Sequence, residues 1–159
     1  MSTNFFDPTY LEQCYAALFA QVQTATFAGG LKFNTFRRVA IGPDQIAPAD
    51  MPALFQVPGP LHARQTEFSL TKWVFVAYWL LYFRADSTQP NPDPLPSTEA
   101  YNLIWGIMGT LLSAGPPYEK QTLGGLVYHA WIEGEIAIET TAEQIMVGIP
   151  VYMDAGNVS

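Results

Sequence analysis

The alternation of apolar and polar positions is sharpest in the last third of the chain. After Gly124-Gly125, a doublet suited to a turn because glycine tolerates positive φ, Leu126, Tyr128, Ala130 and Ile132 share one strand face. Val127, His129, Trp131 and Glu133 share the other. Beyond Gly134, Ile136 and Ile138 continue the apolar face, while Glu133, Glu135 and Glu139 occupy the opposite one. A second run, Ile145, Val147, Ile149, Val151 and Met153, alternates in the same way. The connector Thr140–Gln144 is short and polar, whereas a parallel return would need a crossover of roughly a dozen residues. The stretch therefore predicts a C-terminal antiparallel β-hairpin, with 154–159 as a frayed tail.

Near the N-terminus the period is helical. Asp7-Pro8 reads as an N-cap followed by proline at the first helical position. Leu11, Tyr15, Leu18 and Val22, at i, i+4, i+7 and i+11, then predict an amphipathic helix of about four turns that ends before Gly29-Gly30. Cys14 flanks this stripe and is expected to pack as a small hydrophobe. Phe33–Ile41 is the first strand expected, with Arg37 and Arg38 on opposite faces. A solvated edge suits each arginine; the alternative is a pair with an acid of a neighbouring strand or subunit. Gly42–Met51 reads as a loop, Ala53–Val57 as a brief strand closed by Pro58-Gly59-Pro60, and Leu61–Gln65 as a polar connection.

Glu67–Arg84 is the longest apolar stretch. Val74, Phe75, Val76, Tyr78, Trp79, Tyr82 and Phe83 favour strand, with a hydrophobic helix as the alternative. Apart from Lys72 it is apolar on both faces beyond Thr71, so both must be covered: one by a helix, the other by a second helix or a neighbouring subunit. Ala85–Ser97, with four prolines, is a loop. Ser97 or Thr98 then caps a second helix whose expected stripe is Tyr101, Ile104, Trp105, Met108, Leu111 and Leu112. Gly106 and Gly109 inside it suggest close packing against another backbone. The sum is one α+β domain over residues 1–159, a largely antiparallel sheet with two packed helices.

Composition adds a tendency to assemble. The chain is 49% hydrophobic but only 13% charged, so its surface has little charge to keep copies apart. A net charge of −7 argues against a nucleic-acid reader, which needs a basic face to displace phosphate counterions. One cysteine leaves no internal disulfide, and the opening MSTNFFDPTY lacks the features of a signal peptide, so a cytoplasm is the expected place of synthesis. Trp73–Phe83 is about half the length of a membrane-spanning helix.

Candidate chemistry is sparse. His62 and His129 lie in no recognisable nucleophile or metal context, and Gly124-Gly125 has neither the lysine nor the helix of a phosphate loop. Glu133, Glu135 and Glu139 at strand spacing suit solvated or subunit-facing carboxylates better than a glycosidase pair. No catalytic residue, cofactor or metal site is expected.

The run TLGGLVYHAWIEGEI at 122–136, with MPALFQ at 51–56 and Arg37 and Arg38 shortly before it, resembles the tail terminator (tail completion) proteins of tailed bacteriophages. The resemblance implies a structural protein that forms a homohexameric ring on the last ring of the tail tube. It would stop tube growth and offer a platform to the head connector. The implied partners are further copies of itself, the tail tube protein, a head-tail connector or stopper, and a sheath protein if the tail is contractile. DNA would pass only in transit, and no membrane is involved. The expected location is the tail-neck region of the virion, reached from the host cytoplasm. Phe55, Trp131 and Tyr152 are the aromatic anchors expected at subunit contacts. Glu133, Glu135 and Glu139 face either the lumen or Arg37 or Arg38 of an adjacent subunit. Two alternatives stand: another ring component, such as a connector or tube protein, and a small ligand- or lipid-binding domain walled by the aromatic strand.

Overall fold

A computed structural model describes residues 8–27, 31–39, 41–65, 71–84, 98–111, 121–141 and 144–158. In chain order the elements are helix α1 (Tyr10–Val22), strand β1 (Thr35–Arg37), β2 (Ala53–Gln65), β3 (Thr71–Arg84), helix α2 (Thr98–Gly109), β4 (His129–Ile132), β5 (Ala137–Thr140) and β6 (Gln144–Val158). The strands form one sheet ordered β1-β2-β3-β6-β4, with β5 also paired to β6. Every pairing is antiparallel except β1 with β2. This is the expected α+β fold, and the aromatic stretch is strand.

Cross-strand partners share a face, so the register separates the two sides of the sheet. Leu54, Leu81 and Val147 form one row, and Trp79 with Ile149 and Phe75 with Met153 lie on the same side. These residues are buried against Tyr10, Cys14, Leu18 and Val22 of α1 and Ala100, Leu103 and Ile107 of α2. Both helices therefore cover one face. A buried polar network anchors α1: Gln56 donates through Nε2 to the Tyr15 carbonyl at 2.8 Å and accepts from Trp79 Nε1 at 3.1 Å. Cys14 is wholly buried, as expected, and burial pushes its thiol up to about 11, partly opposed by a hydrogen bond with Tyr10.

Several boundaries differ from expectation for identifiable reasons. The first helical residue is Tyr10, after Thr9; Asp7 lies outside the described residues. β1 is three residues long and parallel to β2, shorter than Phe33–Ile41. β2 does not close at Pro58 but runs to Gln65. Pro58 pairs with Ala77 and Leu61 with Phe75, leaving Gly59 and Pro60 opposite Val76 alone, a β-bulge. β1 reaches only to Phe55, so beyond it β2 is an edge strand on which proline costs no ladder bond. The bulge frees the Val76 carbonyl, and the Tyr15 hydroxyl donates to it at 2.9 Å.

The C-terminal hairpin forms, but as two strands along β6. Ile132 pairs with Val151 and Ala137 with Gly148, so four residues, 133–136, face two on β6, and Gly134 has φ +97° in this break. The Gly124-Gly125 turn forms with φ +75° and +89°. Residues 154–158, expected to fray, continue β6: Trp73 pairs with Gly156 and Thr71 with Val158. Asp154 is buried, with its carboxylate 2.9 Å from Lys72 Nζ and its carbonyl accepting from the Tyr128 amide at 2.7 Å. A turn-like composition had concealed a strand dictated by the length of β3.

α2 is rolled relative to the expected stripe. Its buried positions are Ala100, Leu103, Ile104 and Ile107, with Leu111 buried just beyond its end, while Tyr101 and Trp105 are 51% and 75% exposed and Leu112 lies outside the described residues. Gly106 explains the roll, since a Cβ there would stand 2.5 Å from Phe27 Cδ1 and 3.0 Å from the Thr26 carbonyl oxygen. Gly109, expected to pack closely, has nothing within 4 Å of that position.

Candidate functional site

The helix-free face of the sheet is only partly covered by the described residues. At one end the segment before β2, which contains two short 3₁₀ turns, lays Ile46 with Ile41 and Met51 over Ala53, Phe55 and Tyr82. Phe55 is therefore engaged within the chain. It is 2% exposed, its ring edge-on to Tyr82 at 5.7 Å, and it is not available as the interface anchor expected from sequence. Further along the same face, Trp131 stacks on Tyr152 at 5.6 Å and His129 on Trp131 at 5.0 Å. These three rings are half-buried, and Tyr78 is 36% exposed. Trp131 and Tyr152, expected from sequence as aromatic anchors, thus fall side by side as a cross-strand pair.

The expected line of three carboxylates is broken. Glu139 lies on β5 opposite Met146, on the helix-free side, but Glu133 and Glu135 belong to the break between β4 and β5. All three are exposed, and Glu133 accepts from Trp131 Nε1 at 3.1 Å. Arg37 and Arg38 do part to opposite sides. Arg38 reaches α1 and grips Glu12 through both terminal nitrogens, at 2.6 and 2.9 Å. Those hydrogen bonds hold the Glu12 carboxyl below its usual range and raise the guanidinium above its own. Arg38 is thus committed inside the chain. Arg37, opposite Phe55, is exposed.

Two edges of the sheet end without a strand beside them among the described residues: β1, continued by the far part of β2, and the β4–β5 side. A notch of about 320 Å³ lies at the first edge, lined by Pro8, Leu11, Glu12, Tyr15, Arg38, Gln56 and Pro58. The aromatic strand β3 lines none of it, unlike the ligand-binding alternative drawn from sequence. Among the described residues no group of three His, Cys, Asp or Glu is placed to hold a metal, and no helix is long and apolar enough to cross a membrane. Residue spacing alone did not reveal the open edges or the exposed Ile138, Tyr101 and Trp105. The one signal for the last two was Gly106, which fixes the roll of α2.

The arrangement defines an α+β fold with two helices on one face of a curled, mostly antiparallel six-stranded sheet. A solved structure with this fold is a chain in the "Virion of native gene transfer agent (GTA) particle". It superposes with a TM-score of 0.50 at 12% identity, covering 88% of this chain and 92% of that one. At that identity the likeness establishes a shared fold. No protein-family model and no curated protein sequence matches the chain.

Proposed function

We propose that this protein is a structural subunit of a phage-like virion, and within it a tail terminator. It would form a ring on the end of the tail tube, arrest tube polymerisation and present a docking platform to the head connector. The observation that carries the reading is the shared fold, which spans nearly the whole of both chains and belongs to a component of an assembled virion. The half-covered aromatic face and the two open sheet edges agree with a chain whose packing is completed by other copies or other virion proteins.

The mechanism is geometric and needs no catalytic group. A tube subunit polymerises because its upper surface fits the lower surface of the next; a terminator offers the lower surface but a different upper one, so addition stops. The acidic balance of the chain lets DNA pass without being held. Within the virion the tube protein, a connector or stopper, and a sheath protein in a contractile tail are its partners.

The test is light scattering after size exclusion with negative-stain imaging, followed by addition of the purified protein to growing tail tubes. Single six-fold rings that never stack, and tubes that stop at the length present when the protein is added, are the expected results. Open filaments of the protein alone would instead identify a tube protein. Tubes that elongate unaffected would refute the capping role.

A further inference from the structure

The register of the sheet, followed from one edge to the other, says what the edges fit. Three rows cross its full width without interruption. The first is Thr35–Ala53–Tyr82–Met146–Glu139, the second Phe36–Leu54–Leu81–Val147–Ile138, and the third Arg37–Phe55–Leu80–Gly148–Ala137. The middle row lies on the helix side, and its three inner members are fully buried. Its two ends are not: Phe36 is half-buried and Ile138 is 45% exposed. An apolar row thus runs out to both edges of the sheet. The flanking rows lie on the helix-free side and end in opposite charges, Glu139 at one edge and Arg37 at the other. Both are exposed, and neither has an ion-pair partner among the described residues.

Strand direction agrees. β1 and β2 run one way, β3 the other, β6 with β2, and β5 against it. A copy related by rotation about an axis along the strands keeps these directions, so β5 of one copy meets β1 of the next antiparallel, as most of the sheet is built. Rotation also keeps the helix side continuous with the helix side.

We infer that β5 of one copy adds to β1 of the next, head to tail, with Ile138 beside Phe36 and Glu139 diagonal to Arg37. Keeping the rows level puts Ile138 directly opposite Phe36. It puts Glu139 two residues from Arg37 on the same face, a diagonal of roughly 7–8 Å between Cα atoms that two long side chains span. The edge that would otherwise template uncontrolled pairing is closed by its own complement. Such a contact uses two different patches, so it propagates from copy to copy and makes a ring where the rotation between copies closes. The inference rests on the self-assembling subunit proposed above and identifies the two patches that its ring contact joins.

The test is charge reversal on the full chain, at sites whose exposure leaves folding unchanged. Glu139→Arg and Arg37→Glu should each weaken self-association by roughly tenfold or more, read by light scattering over a dilution series, because each sets like charges side by side. The double variant E139R/R37E should recover most of the loss, with melting temperatures of all variants close to that of the parent. As a second reading, A137C/R37C should give covalent oligomers longer than dimers on oxidation, with the wholly buried Cys14 unable to compete. Single reversals that leave association within about twofold, or a double variant no better than either single, would overturn the edge contact. Rings and tube arrest by the parent protein would then leave the terminator reading standing. A parent chain that stays monomeric at every concentration also overturns the contact, while the tube assay still decides the capping role separately.

Discussion

Substituting the two glycines of α2 by alanine should move stability in opposite directions. Gly→Ala in a helix interior is worth up to about 1 kcal/mol in favour of the helix. At Gly106 this gain is outweighed. The new methyl would lie 2.5 Å from Phe27 Cδ1 and 2.6 Å from Cε1, where apolar carbons rest at about 3.5–4.0 Å, so the ring must retreat by roughly 1 Å. That ring packs on Phe33 with centroids 5.7 Å apart, a pairing worth about 0.5–1.5 kcal/mol. The Thr26 carbonyl, 3.0 Å from the same methyl, is backbone and cannot swing aside. Overpacking of this kind costs about 1–3 kcal/mol. The net expectation for Gly106→Ala is a loss of about 1–2 kcal/mol, or a fall of a few degrees in Tm for a chain of this size. Gly109→Ala, with nothing within 4 Å and ordinary negative φ, should be neutral or stabilising by a few tenths of a kcal/mol. Urea denaturation of both variants, with unchanged slopes, separates the two effects. A Gly106→Ala variant as stable as the parent would refute the packing of Phe27 on α2, and with it the roll that turns Trp105 outward.

Other expectations concern the core, the outer face of α2 and two titratable groups. Gln56→Leu strips the acceptor from the buried Trp79 indole and should cost about 2–3 kcal/mol; adding Trp79→Phe should cost less than the sum of the singles, which a double-mutant cycle measures. Trp105→Lys should leave stability within about 0.5 kcal/mol, whereas Ile107→Ala, two residues on, should cost about 2–5 kcal/mol. Cys14, buried and with its thiol pushed up to about 11, should resist a disulfide reagent at pH 8 in the folded protein and react once it is unfolded. The Glu12 carboxyl is lowered in the fold by its hydrogen bonds to Arg38. Its contribution is present above the unfolded value of 4.5 and is lost as pH falls through the lower folded value, so Glu12→Gln should flatten the acid limb of denaturation curves below pH 4.5.

The elements legible in the sequence were those whose own residues decide them. Leu18 and Val22 of α1, the odd-numbered apolar residues of β6 and the β-branched and aromatic run of β3 declare period and face locally. What was hidden depended on a partner distant in sequence. Pro58-Gly59-Pro60 reads as a stop, yet the chain continues as strand because its other edge is empty there and Val76 has a tyrosine hydroxyl for its freed carbonyl. Asp154-Ala155-Gly156-Asn157 reads as a tail until β3 supplies a ladder of matching length. Tyr101 and Trp105 extend the apolar stripe on paper, but one missing Cβ at Gly106 admits Phe27 and turns both outward.

The candidate surface shows the same dependence more strongly. Composition pointed to assembly because few charges cover a large apolar share, and spacing placed Trp131, Glu139 and Tyr152 on strands. Spacing did not separate Arg37 from Arg38, although their fates differ: one is held by Glu12 and the other stands at the end of a five-residue row. It also grouped Glu133 and Glu135 with Glu139, although Gly134 breaks the strand between them. An open edge is a property of the whole sheet, since it exists only where the last strand in the order finds no neighbour. Its fit to another copy is likewise a relation between two ends of a register, Ile138 with Phe36 and Glu139 with Arg37, that lie about a hundred residues apart in the chain. Complementarity of that kind arises from counting along four successive pairings, so a one-residue slip in any of them would put Ile138 on the opposite face from Phe36 and abolish the match.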